Sequence, residues 1–286
     1  MNQALLPDLA TLRYPSKNDP EVAGHFERVI QGQKISSVLD YARNNQKAVM
    51  ITGEAGTGKS TTAEYYAAIR NLPICVVECS SGIDSTMTQG KFVPTGTGKE
   101  LMWRYSSMAT AIQQPAVILL NEATRMPAKA NALFLRVLAE RELIIDTHHN
   151  EVIKVHDECL FIADANIGYR GTMSPDQAFM DRHAVKVEFE YDEVLERNFI
   201  PSDSLLELAK SMRQLARNEG KFTTPISTRL LKEFVATARG LSFRFAVYNF
   251  AQNFALDERQ SVSMLLATYA ENIANELNVE LADYEV

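Results

Sequence analysis

The stretch Lys47-Ala-Val-Met-Ile-Thr52, followed without a break by Gly53-Glu-Ala-Gly-Thr-Gly58-Lys59-Ser60, decides how this chain is read. The first segment is a short apolar run and predicts a buried strand. Ser60 to Ile69 predicts a helix. The segment between them satisfies Gly-x-x-x-x-Gly-Lys-Ser/Thr, a pattern that carries meaning only with a strand before it and a helix after it. Glycines allow backbone N–H groups to curl around phosphate oxygens, and the following helix points its positive end at the same anion. The candidate contacts to a nucleoside triphosphate are therefore Gly53, Glu54, Ala55, Gly56, Thr57, Gly58, Lys59, Ser60 and Thr61. Lys59 is expected on the β and γ phosphates, and the Ser60 hydroxyl on Mg²⁺. Gly96-Thr-Gly98-Lys99 imitates only the end of the pattern. Val93 stands where a glycine is needed and Glu100 where a hydroxyl is needed, so this segment reads as a flexible loop.

Strand-like and helix-like segments alternate outward from the loop. Before it, Ile35, Val38, Leu39 and Ala42 fall at helical spacing within a lead-in spanning residues 1–45. After it come strand candidates Pro73–Cys79, Ala116–Leu120, Leu160–Ala163 and Ala184–Phe189, with a helix over Lys129–Arg141 and a hairpin around His148-His149-Asn150. This alternation predicts an α/β fold, a parallel sheet with helices on both faces, over residues 46–190. Beyond Tyr191 the strand runs stop. Helical periods over Ser204–Asn218, Ser227–Arg239, Phe243–Phe254 and Glu258–Asn278 predict a small all-α domain over 191–286, with Ser204-Leu-Leu-Glu207 as a capping box.

Nucleotide hydrolysis also requires a carboxylate near the metal and a group that polarises water. The end of a buried parallel strand is the natural place. Ala116-Val-Ile-Leu-Leu120 ends in Asn121-Glu122, where Asp-Glu is the usual pair. Glu122 is expected to polarise the attacking water. Asn121 offers the metal or its water an amide oxygen without charge, and neutral contacts are about half as strong as charge-assisted ones.

Composition bounds the partners. The net charge is −7, with one Trp and no basic aromatic platform, which counts against a general nucleic-acid binder. Met1–Asp8 carries no basic leader, and no apolar stretch reaches the roughly 18 residues of a membrane span, so a cytoplasmic protein is expected. Cys75 and Cys79 alternate onto one strand face and, with Cys159, read as core thiols. His148, His149 and His156 lack a fourth ligand at a recognised zinc spacing.

Gly53–Ser60, Leu119-Leu-Asn-Glu-Ala-Thr-Arg125, Phe161-Ile-Ala-Asp-Ala-Asn166 and Phe179-Met-Asp-Arg182, in that order, resemble an AAA+ ATPase of the MoxR and dynein-related branch, which includes CobS-type chelatase subunits. The resemblance implies a P-loop sheet domain followed by a helical lid. It implies that Asn166 positions the hydrolytic water, that Arg182 acts as an arginine finger on a neighbour's nucleotide, and that Arg229 senses the γ-phosphate from the lid. Arg125, after the carboxylate strand, matches another arginine of this branch and is a further candidate for the subunit interface. Two insertions, around Gln89–Trp103 and around His148, would face a central pore, making Lys91, Phe92, His148 and His149 candidate substrate contacts. The resemblance implies a ring-forming ATPase, a homo-oligomer and hexamer in family terms, that remodels a protein client, often with a von Willebrand A-type partner. The alternative is an assembly scaffold stabilised by nucleotide, with weak hydrolysis because Asn121 lacks charge. A DNA-directed motor is disfavoured by the acidic balance.

Overall fold

The computed structural model describes residues 12–96, 98, 100–126, 128–166 and 176–281, apart from the side chains of Glu21, Ala128 and Lys129. The start of the lead-in and Lys99 of the glycine-rich loop lie outside the described residues. Five parallel strands make the main sheet: β1 (Val49–Gly53), β2 (Ile74–Glu78), β3 (Val117–Asn121), β4 (Leu160–Asn166) and β5 (Val185–Phe189), in the order β5-β1-β4-β3-β2. Successive side chains on a strand point to opposite faces, and here both faces are covered. Val49, Ile51, Val117, Leu119, Leu160 and Ile162 pack in one core with Leu39, Ala63 and Tyr66. Met50, Ile118, Leu120, Phe161 and Ala163 pack in another with Phe134 and Val137. This two-sided burial explains why β1, β3 and β4 read as continuous apolar runs.

Helices α1 (Ile35–Asn44) and α2 (Lys59–Arg70) cover the first face, and α3 (Ala128–Glu140) contributes Phe134 and Val137 to the second. Truncating a fully buried residue such as Phe134 or Ile51 to alanine typically costs about 2–5 kcal/mol. Edge strand β2 keeps its alternation: Cys75 and Val77 are buried while Val76 and Glu78 are exposed. Two antiparallel hairpins interrupt the α/β alternation, Gly90–Pro94 with Leu101–Tyr105 and Glu142–Ile145 with Glu151–Lys154.

The chain divides into two compact units. One runs up to Gly53 and resumes from Gly58 to Phe189; the other holds the loop tip Glu54–Thr57 and the chain from Glu190 onward. The second unit is helical, with α4 (Asp203–Glu219), α5 (Thr228–Gly240), α6 (Phe243–Gln252) and α7 (Arg259–Leu277). Its core joins Leu208, Met212, Phe234, Phe250, Leu266 and Ile273, with Phe243 and Phe250 edge-on to Phe234 at 5.8 and 5.7 Å. Serine caps open three of these helices: Ser202, Ser227 and Ser242 accept from Leu205 N, Leu230 N and Phe245 N.

The capping box expected at Ser204 is therefore displaced. Ser202 is the cap, and Ser204 Oγ donates instead to Glu276 Oε1 on α7 at 2.8 Å. A tertiary carboxylate, which local sequence cannot reveal, takes the second serine. Among the described residues no helix is long and apolar enough to cross a membrane.

Candidate functional site

β1 ends where the sheet needs a residue without a side chain. Gly53 has φ +144°, and a Cβ there would sit 2.1 Å from the Phe189 carbonyl oxygen of neighbouring β5. Any other residue at this root would push two paired strands apart. Gly58, at φ +89°, then turns the chain into α2. A left-handed backbone favours glycine, since a side chain adds roughly 1–2 kcal/mol of strain.

The first residues of α2 reach back over the strand ends. Lys59 is buried, and its Nζ donates to Gly53 O at 3.1 Å and to Asn166 Oδ1 at 2.8 Å. The same ammonium lies 4.0 Å from Asp164 Oδ1. Ser60 Oγ lies 2.5 Å from Asp164 Oδ2 and 3.2 Å from Asn121 Oδ1. A hydroxyl has one proton to give, so two acceptors converge on one donor. Asn121 Nδ2 donates to Glu78 Oε2 at 2.8 Å, which turns the amide oxygen toward Ser60.

Strand register explains this convergence. Glu78 pairs with Asn121 across β2 and β3, and Ala163 pairs with Leu120 across β4 and β3, so Asp164 and Asn121 are the next residues on their strands. Asn166 in turn pairs with Gly53. Period 2 along β4 puts Asp164 and Asn166 on one face, the face covered by α2.

The electrostatics are lopsided. Burial pushes the Asp164 carboxyl above its usual range; Lys59 and Ser60 oppose this, while the charges of Glu122 and Glu78 add to it. The neighbouring Cys79 thiol is pushed up to about 12, mainly by burial and then by Glu78, Asp164 and Glu122. Burial also raises Cys75 and Cys159 to about 12, so all three thiols are buried and un-ionised at neutral pH, as core packing requires. Carboxylates outnumber the ammonium around the Ser60 hydroxyl.

Glu122 follows β3 in a left-handed conformation, φ 55° and ψ 44°, opening the turn Ala123–Arg125. A non-glycine residue held there stores strain of order 1–3 kcal/mol, a feature concentrated at functional sites. Its carboxylate pairs with Arg125 Nη1 at 2.9 Å. Thr61 is half-buried in the first turn of α2.

Of the remaining expected residues, Arg229 stands beside the loop tip, its backbone N 3.7 Å from where a Cβ on Gly56 would sit. Arg182 is half-buried, donating from Nε to Leu135 O at 3.2 Å and from Nη1 to Ala178 O at 2.6 Å, so its own subunit's backbone holds it. Arg229 is exposed in the first turn of α5. Lys91, Phe92 and His149 are exposed, but His148 is not. Its ring stacks on Trp103 at 5.0 Å, and its Nδ1 lies 2.9 Å from Glu151 Oε2, which also accepts from Tyr105 Oη at 2.7 Å. His148 thus joins the two hairpins rather than projecting to a client, a tertiary contact that its place at a polar hairpin tip concealed.

The loop tip is held within the helical unit. Thr57 Oγ1 donates to Glu54 O at 2.9 Å, Tyr191 Oη donates to Ala55 O at 2.7 Å, and Arg217 Nη2 donates to Glu54 Oε1 at 2.8 Å. A Cβ on Gly56 would meet Ser227 Cβ at 2.7 Å. The Tyr191 ring lies under the Arg213 guanidinium at 3.7 Å, and Arg213 forms a two-pronged pair with buried Glu196, both contacts 2.8 Å.

Two polar groups in this region escaped sequence reasoning. Asp164 and Glu78 lie on strands other than the one that carries Asn121-Glu122, and only the sheet order brings them to it. The available signal was an acid inside the otherwise apolar run Leu160–Ala165, two residues before Asn166.

Residues 48–183 match the AAA domain family described as the dynein-related subfamily. Uncharacterized proteins of Staphylococcus aureus strain bovine RF122 / ET3-1 and of strain USA300 are each 25% identical over 199 residues, covering 68% of this chain and 75% of theirs. A solved structure from Cytophaga hutchinsonii ATCC 33406 aligns over 86% of this chain and 88% of its own, at 15% identity and a TM-score of 0.45.

Proposed function

We propose that this chain, whose residues 48–183 match an AAA domain of the dynein-related subfamily and whose sheet has the AAA+ P-loop arrangement, binds ATP with Mg²⁺ and hydrolyses it. One observation carries the reading: Lys59 and Ser60, at the start of the helix after the glycine loop, meet the ends of β3 and β4 at hydrogen-bond distance. That is where a triphosphate would be gripped by ammonium and backbone N–H groups. The oxygen donors around Ser60 suit a hard divalent cation, which prefers carboxylate, carbonyl and hydroxyl oxygens. Ser60 and the Asn121 amide would hold it, and when bound it neutralises charge building on the β and γ phosphates.

The chain's own groups supply the rest. Lys59 exchanges its contacts with Gly53 O and Asn166 for phosphate oxygens. Asn166, released, orients the attacking water, and Glu122 accepts its proton once freed from Arg125. Arg182 completes a neighbouring copy's centre after leaving its carbonyl partners, and Arg229 reports the γ-phosphate. Such a finger in trans requires an oligomer, and a rotation that closes makes a ring, hexameric in this reading. Exposed Phe92 and Lys91 would contact a protein client in the cytoplasm, with a von Willebrand A-type protein as the partner.

Phosphate release with Mg²⁺-ATP tests the proposal. Wild type should turn over, Lys59→Ala should lose nucleotide binding, and Glu122→Gln should bind yet hydrolyse about 10²-fold or more slowly, the usual worth of a positioned base. Equal release from all three removes the enzyme. A strictly monomeric protein under saturating nucleotide removes the ring and the finger role of Arg182. The second reading, a nucleotide-stabilised scaffold with weak hydrolysis, draws on the neutral Asn121 and on the Glu122–Arg125 pair. It predicts assembly with ATP but unchanged turnover after Glu122→Gln.

A further inference from the structure

We propose that Asp164, on the strand beside Asn121, supplies the carboxylate that binds the divalent cation, so that the acid has moved one strand along rather than been lost. The inference rests on the reading above that a triphosphate with its metal occupies this loop.

Asp164 Oδ2 is the nearest acceptor to the Ser60 hydroxyl, at 2.5 Å, while Asn121 Oδ1 is at 3.2 Å. The two side chains belong to adjacent strands, one residue past the paired Ala163 and Leu120, so an acid at either position addresses the same point. Asp164 is 4% exposed and interrupts the apolar run Leu160, Phe161, Ile162, Ala163 and Ala165 that precedes Asn166 at the end of the strand. Burying a carboxylate there is costly unless a positive charge meets it. The Lys59 ammonium comes no nearer than 4.0 Å and is also bonded to Gly53 O and Asn166 Oδ1.

Asn121 then has a reason of its own. Glu78, residue 121 and Asp164 stand side by side on β2, β3 and β4. An aspartate in the middle would place three carboxylates in a row. The amide instead donates to Glu78 at 2.8 Å and turns its oxygen to Ser60, separating the acids while keeping an oxygen donor. Asn121 and Asp164 are one exchanged pair: each makes the other tolerable.

The test is an exchange of the two residues, read as metal binding. Mn²⁺ affinity is measured by electron paramagnetic resonance in the presence of a non-hydrolysable ATP analogue, and analogue affinity is measured separately in EDTA. Wild type should bind Mn²⁺ with the analogue. Asp164→Asn should keep the EDTA affinity and weaken Mn²⁺ at least tenfold. Asn121→Asp alone should not tighten Mn²⁺. The double variant Asn121→Asp, Asp164→Asn should recover most of the loss, and it carries the test if the single Asp164 variant fails to fold. Undiminished Mn²⁺ binding by Asp164→Asn, or no recovery in the exchange variant, overturns the assignment and leaves the nucleotide reading standing. A wild type that binds no analogue, with or without metal, sinks both.

Discussion

Each unit of this protein buries a carboxylate beside a cation, and the two clusters are built to different ends. In the helical unit, Glu196 is fully engaged: both oxygens accept from Arg213 at 2.8 Å, and Oε1 also accepts from Thr228 Oγ1 at 2.6 Å. Arg213 Nε donates to Ile226 O at 2.9 Å, and the guanidinium lies over Tyr191. Charge and hydrogen bonds close on themselves. In the sheet unit, Asp164 has a hydroxyl that it shares with Asn121 and an ammonium 4.0 Å away, with Glu78 and Glu122 adding negative potential. A closed cluster fixes a fold; an open one waits for a charge from outside. Burial alone does not separate these cases, and the count of satisfied bonds does.

The same chemical change, carboxylate to amide, breaks or sharpens this contrast. Glu196→Gln leaves the buried Arg213 guanidinium facing a neutral group, and removing one partner of such a pair costs about 3–5 kcal/mol. Denaturant unfolding should show this loss in the helical unit. Next in size is an imperfectly paired group in the sheet unit, His183. It is wholly buried, its Nδ1–H donates to Phe179 O at 2.8 Å, and its Nε2 meets no partner among the described residues. Burial is the main cause that lowers its pKa to about 4. The unfolded chain therefore takes up a proton before the folded one does. Stability is full above about pH 6.5 and falls as the pH drops toward 4, by at most about 3–4 kcal/mol at roughly 1.4 kcal/mol per unit. His183→Gln should flatten that stretch of a melting-temperature profile.

A smaller effect is expected for Asp164→Asn without nucleotide. Because burial and neighbouring acids already disfavour the charged form, neutralising it should leave stability within about 1 kcal/mol of wild type at neutral pH, or raise it. A loss as large as that of Glu196→Gln would show that Asp164 is structural cement and would close the contrast. The smallest effect concerns the thiols: Cys75, Cys79 and Cys159 should resist alkylating reagents at neutral pH until the protein unfolds, since the thiolate is the reactive form.

Much of this was legible in the chain. β1, β3 and β4 announce themselves as apolar runs because both sheet faces are covered, and the glycine loop stands where strand and helix demand it. Lys59 and Ser60 follow from the motif and Asn166 from the family resemblance, and the structure brings Lys59 Nζ to Asn166 Oδ1 at 2.8 Å. The failures share one cause, contacts between residues far apart in sequence. Glu276 takes the hydroxyl of Ser204, Trp103 takes the ring of His148, and strand order sets Asp164 beside Asn121 across 43 residues of chain. A linear reading sees each alone: a cap, an exposed loop, an unexplained acid. Only the parallel register turns Asn121 from a defect into half of a pair.

The silence of the three native thiols has a practical sequel. A single cysteine placed at exposed Phe92 could carry a spin label or dye without first stripping the protein of its own sulfurs. Distances between such labels on separate copies would then count the members of any assembly and follow that hairpin when nucleotide is added.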